Sequence, residues 1–136
     1  MSRIGKQIFF YVFLPLLTGY FIYFFFRPDY WFVKIIDKRE AIVNINELSL
    51  IEKILIFSGS DFCWAFSFSS ALFLWEANQQ KRFRFLPVIV LIILVGSELI
   101  QPILTAKFTL DWWDVCAALL AFCLSFVLLR RRYEKK

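Results

Sequence analysis

Histidine is absent from this 136-residue chain, which removes imidazole general acid/base catalysis, Ser-His and Cys-His nucleophile pairs and most zinc or haem ligation. Cysteine is scarce, and Cys63, Cys116 and Cys123 lack CxxC spacing, so neither a disulfide framework nor a metal site is expected. Cys116 and Cys123 stand seven apart in one apolar segment, as packing or lipid-facing residues would. Four glycines and four prolines leave no low-complexity tract, and no phosphate-binding glycine loop is present. The net charge of +5 is scattered between apolar stretches instead of forming a basic stripe, which argues against nucleic acid as a partner.

What the chain has in excess is hydrocarbon. Its hydrophobic share is 60%, against about 45–50% for soluble domains. Eighteen Phe, five Trp and five Tyr suit contact with acyl chains and headgroups. The composition predicts an all-α polytopic membrane protein: one membrane domain over 1–136, a four-transmembrane-helix bundle with spans at 8–26, 61–78, 85–103 and 111–129 and an outer loop at 27–60.

The first span, from Ile8 to Phe26, carries no charge and is too long for a typical signal h-region, so it reads as a retained anchor. Pro15, with Thr18 and Gly19 following, is placed to kink it. The loop that follows is charge-balanced. Tyr30, Trp31 and Phe32 read as an interface anchor, and Leu48 to Phe57 as a short amphipathic surface helix. Ser58-Gly59-Ser60-Asp61 has the residue types of a helix start, opening the second span. Its uncharged core, Phe62 to Trp75, is short, and a re-entrant hairpin competes with a full crossing there. Pro102 is expected to bend or finish the third span. Lys and Arg beside the spans divide ten to six, counting two at the N-terminus, three at 81–84 and five in the tail against Lys107 and the balanced loop. That bias puts both termini in the cytoplasm.

With this orientation the acids Asp61, Glu98, Asp111 and Asp114 all fall at the outer level. Glu98 and Gln101 are three apart, as are Asp111 and Asp114, so each pair shares a helix face beside one short turn. Asp114 continues into Ala117, Ala121 and Ser125, and Asp61 into Ala65 and Ser69. Such small-residue stripes admit a neighbouring helix and point these aspartates inward. For Asp61 and Asp111, at helix starts, capping alone is the favoured explanation. Glu98 at a helix end opposes the dipole, and crowding with the other acids is expected to raise a pKa, Glu98's first. Trp64, Trp112 and Trp113 at the same level are candidate lining for a headgroup or sugar, or plain interface anchors. No catalytic residue, metal ligand or cofactor is assigned.

The run Glu98-Leu99-Ile100-Gln101, then Thr109-Leu110-Asp111-Trp112-Trp113-Asp114-Val115, followed by Ala121 and Ser125, resembles the VanZ-like family of small bacterial integral membrane proteins. The resemblance covers the C-terminal third in motif and the whole chain in helix layout. Glu98, Gln101 and Asp114 match the family pattern and Lys107 stands for its basic turn residue, whereas Ala118 replaces its asparagine. It implies a multi-pass protein of the bacterial cytoplasmic (inner) membrane, whose namesake is linked to low-level teicoplanin resistance, and it brings no established reaction.

The expected role is accessory and non-catalytic: the outer acidic and aromatic cluster engages a cell-envelope lipid, glycan precursor or partner. One rival is a structural subunit of a larger membrane complex, or a homo-oligomer, joined through small-residue and aromatic faces. The other is an enzyme on a lipid-linked substrate with Glu98 or Asp114 as general base.

Overall fold

The computed structural model describes residues 3–26, 49–79, 83, 85–104 and 112–130, and these are helical throughout apart from short caps and turns. We label four rods. Helix α1 is continuous from Arg3–Ile8 through a π-helical turn, Phe9–Phe13, into Leu14–Phe26; α2 is Leu50–Asn78; α3 is Leu86–Leu104; α4 is Trp112–Ser125, continuing as a π-helical turn over Phe126–Arg130. Two of them, across Ile4–Phe26 and Trp112–Leu129, are long and apolar enough to cross a membrane. The expected anchor at 30–32, Lys107, most of the basic loop 81–84 and the tail beyond 130 lie outside the described residues.

The π-helical turn in α1 has a chemical cause. Pro15 has no N–H, and in α geometry its ring would meet the carbonyl four residues back. The helix widens just before it, with the Leu14 N–H donating to the Phe9 carbonyl, five residues away. Thr18 Oγ1 then donates to the Leu14 carbonyl at 2.9 Å. Pro102, in contrast, sits in the last turn of α3 and the helix ends two residues beyond it.

The largest departure from expectation is α2. It opens at Leu50, not near Asp61, and absorbs the segment assigned to a separate surface helix and the last part of the outer loop. Its start is chemically better defined than the Ser58–Asp61 run: Ser49 is the N-cap, and Ser49 and Glu52 form a reciprocal capping box. The Ser49 hydroxyl and N–H donate to Glu52 Oε2 at 2.7 and 2.8 Å, and the Glu52 N–H donates to Ser49 Oγ at 3.3 Å. Asp61 is therefore an interior helical residue and not a cap.

Those bonds from the Ser49 side chain, and then from its backbone, hold the Glu52 carboxyl below the usual glutamate range. A depressed folded pKa contributes stability above the unfolded value that is lost as pH falls through the folded one. Amide protection in the first turn of α2, relative to the intrinsic exchange rate at each pH, should fall on acidification below about pH 4, and Glu52→Gln should remove that fall. An acid-insensitive first turn in the wild-type protein would exclude it.

Helix α2 is the hub. It packs most extensively on α4 and next on α1, whereas α3 joins mainly through α4. Cross-helix contacts give the directions. Tyr23 meets Asp61 and Val12 meets Ser67, so α1 and α2 are antiparallel; Ser58 meets Asp114 and Phe73 meets Phe122 and Phe126, so α2 and α4 run parallel. The core is a cluster that includes Phe66, Phe73, Leu74, Val90, Leu94, Ala118, Ala121 and Leu129.

The distribution of polarity is the reverse of a soluble bundle. Ser60, Ser67, Ser69, Ser70, Ser125 and Glu76 are buried, while Phe9, Phe10, Phe13, Ile89, Ile92, Leu120 and Val127 lie on the outside. Ser125 Oγ satisfies itself on the Phe122 carbonyl at 2.9 Å, and Ser67 Oγ crosses to the Val12 carbonyl of α1 at 2.8 Å. Small hydroxylated side chains inside and bulky apolar ones outside are the pattern of helices that pack in lipid, where hydrocarbon outside the bundle carries no penalty.

Candidate functional site

The residues that position the site are those that let α1 and α4 approach α2 at one end. Gly19 is buried on α1, where a Cβ would stand 3.1 Å from Cys63 Cβ, 3.4 Å from the Ser60 carbonyl oxygen and 3.4 Å from Trp64 Cδ1. Only a residue without a side chain allows this crossing without displacement. One turn further along α1, the Tyr23 hydroxyl donates to Asp61 Oδ1 at 3.0 Å. On the other flank, α4 lies against α2 through Ala117, Ala118, Ala121 and Ser125, all buried. At the head of that face Ser58 Oγ donates to Asp114 Oδ1 at 3.1 Å.

Ser58 and Asp61 are three apart on α2 and share a face. One turn of α2 thus carries both links: Asp61 accepts from Tyr23 of α1, and Ser58 donates to Asp114 of α4. Asp114 lies in the first turn of α4, where the exposed amides and dipole favour a negative charge. Asp61 lies mid-helix, away from any helix start, and accepts from the Tyr23 hydroxyl. Both aspartates are half-buried. Trp64 adjoins this level and remains half-exposed, and Trp112 and Trp113 are exposed at the start of α4.

Of the other residues singled out in the sequence, Glu98 and Gln101 lie in the last two turns of α3, of which the backbone is described, and Asp111 lies outside the described residues. Among the described residues no group of three or more Asp, Glu or Cys is placed to hold a metal ion. Cys63, Cys116 and Cys123 are free thiols, the last two exposed.

Three participants escaped the sequence reading. Tyr23 is hidden in an aromatic run where nothing marks one ring from the next. Ser58 is present in the sequence only as part of an apparent cap. Glu76 is the third: it sits in the last turn of α2, is 3% exposed, and its Oε1 accepts the Phe83 N–H at 3.0 Å. The Gln79 N–H closes the helix on the Glu76 carbonyl at 3.0 Å, and Trp75 stacks on Phe83 with centroids 5.6 Å apart. Glu76 therefore ties the end of α2 to Phe83, shortly before α3, on the C-terminal side of α2 from Asp61.

No protein-family model matches the chain, and neither the curated proteins nor the solved structures contain a match to it.

Proposed function

We propose that the protein is a four-span membrane protein with both termini in the cytoplasm, whose outer end carries a polar cluster that engages a cell-envelope lipid, glycan precursor or partner in an accessory, non-catalytic role. The observation that carries this reading is the pair of carboxylates at one level of the bundle, Asp61 of α2 bonded by the Tyr23 hydroxyl of α1 and Asp114 of α4 bonded by the Ser58 hydroxyl of α2. Acids at the edge of hydrocarbon are costly and face the bundle interior or a polar ligand. Here they hold three helices in a common frame at the level where Trp64, Trp112 and Trp113 present aromatic faces. Carboxylate and indole together suit an amine- or sugar-bearing headgroup, by charge and by ring stacking. Glu98 and Gln101, at the end of α3, belong to the same proposal, as does membership of the VanZ-like family in the bacterial cytoplasmic membrane, which rests on the C-terminal motif.

The multi-span reading gains support from the hub position of α2. A helix walled by α1 and α4 can carry Ser60, Ser67, Ser69 and Ser70 through a bilayer, because these side chains meet other helices and not acyl chains.

The test is retention of lipid or envelope precursor by the purified protein, read by native mass spectrometry from bacterial membranes. Asp114→Asn preserves shape and a hydrogen bond to Ser58 but removes the charge. Retention should fall by about tenfold, as expected for loss of one charge-assisted contact, while the helical content and melting temperature stay near wild type. Wild-type retention by both Asp114→Asn and Asp61→Asn would reduce the cluster to a structural clamp.

A further inference from the structure

Helix α1 is fastened to α2 on both sides of its π-helical turn. Its upper half is pinned twice, by the Gly19 crossing against Cys63 and by the Tyr23–Asp61 bond. Its lower half, from Arg3 through the π-helical turn Phe9–Phe13, is attached by the Ser67 hydroxyl of α2, which donates to the Val12 carbonyl. The two halves meet where the register is irregular, with Leu14 bonded five residues back and Pro15 supplying no N–H to the carbonyl it faces. One turn beyond Ser67 on the same face of α2 stands Ser70, fully buried, with a hydroxyl that finds no hydrogen-bond partner. In an antiparallel pair, the step from Ser67 to Ser70 on α2 corresponds to a step from Val12 toward Phe9 on α1.

We propose that the π-helical turn of α1 is a two-position joint, in which Ser67 is the engaged catch and Ser70 the catch of a second register. A π turn holds one more residue than an α turn. Moving or removing that extra residue rotates the lower half relative to the upper by about 100°, one residue's share of a helical turn. In the present register Ser67 is satisfied and Ser70 is not. In the second, a carbonyl from the Ile8–Phe9 region takes the Ser70 hydroxyl and Val12 leaves Ser67. Each state satisfies one of Ser67 and Ser70 and leaves the other without a partner, while Ser69 is unpartnered in the present register and untouched by the exchange, so the two lie close in free energy. The upper half and its Tyr23–Asp61 bond do not move, so the joint changes the face that Phe9, Phe10 and Tyr11 present without dismantling the outer cluster.

Tyr11 reports the register, because its ring packs 6.4 Å from that of Phe66 on α2. The experiment is fluorine NMR of the full chain in lipid nanodiscs with fluorotyrosine, the Tyr11 resonance being assigned by Tyr11→Phe. Ser67→Ala should shift population out of the Phe66-packed line by about fivefold, the effect of one ordinary hydrogen bond. Ser70→Ala should shift it the opposite way, and Pro15→Ala, which lets the helix close in α geometry, should leave a single line. Tyr11 resonances unchanged by Ser67→Ala, or moved in the same direction by both serine variants, would overturn the joint. Both alanine replacements are smaller than serine and fit the same space, so they test the catch and not the packing.

Discussion

Replacing Phe73 by alanine should cost about 3 kcal/mol, the low end for removing a large buried aromatic. Phe73 is 1% exposed and lies at the centre of the α2–α4 contact, with ring centroids 6.0 Å from Phe122 and 6.0 Å from Phe126. In lipid the transfer of a ring out of water contributes little to helix association, because the separated helix would bury it in acyl chains. What remains is the loss of close contacts that nothing refills, and the wholly buried position of Phe73 makes that loss large. The control is Phe68→Ala on the same helix, where the ring is partly exposed and the expected cost is below about 1 kcal/mol. Unfolding by denaturing detergent, followed by circular dichroism, separates the two; equal midpoints would mean that the α2–α4 seam is not what holds the bundle together.

Gly19→Val should cost about 1–3 kcal/mol by overpacking and should also disconnect Tyr23 from Asp61. A Cβ alone would stand 3.1 Å from Cys63 Cβ and 3.4 Å from a backbone carbonyl, and backbone cannot swing aside. Valine adds two methyl groups to that contact, so α1 has to lift from α2 over the turn that carries Tyr23. Gly19→Ala, displaced by only a few tenths of an ångström, should show a fraction of the effect. Coupling is the discriminating measurement. Tyr23→Phe should destabilise the parent protein by about 1 kcal/mol and the Gly19→Val protein hardly at all, because the bond it removes is already broken. Additive losses would show that the crossing at Gly19 and the Tyr23 bond are independent.

Much of this was open to reading from residues alone. The first rod is legible because Ile8 to Phe26 has no charge and about the length of a membrane span, and Pro15 announces an irregularity whose place, just ahead of it, follows from the missing N–H. The fourth rod is legible from the spacing of Ala117, Ala121 and Ser125, which lie on one face and are buried together. Helix α2 resists such reading. Its hydropathy is diluted by serines that only neighbouring helices make tolerable, and Ser58-Gly59-Ser60-Asp61 imitates a start signal in the middle of a helix that Ser49 and Glu52 had already capped. A capping sequence is a local preference of about 1 kcal/mol, and continuous packing of α2 against two helices outweighs it.

The candidate site divides in the same way. Asp61 and Asp114 stand out in the sequence because charge is conspicuous beside hydrocarbon, and periodicity says which helix face each occupies. Their partners, Tyr23 and Ser58, do not stand out: one is a ring among many and the other a serine among many, and each is selected by where a neighbouring helix happens to place a carboxylate. Composition and period by themselves determined that this chain is helical, apolar on its outside and acidic near certain helix ends, since those properties follow from each residue's own chemistry and its spacing. Which helix became the hub, that Gly19 lets α1 close on it, and that one turn of it carries both the Tyr23–Asp61 and the Ser58–Asp114 bonds were decided by tertiary structure, because distances between segments remote in sequence depend on how all the side chains fill space together.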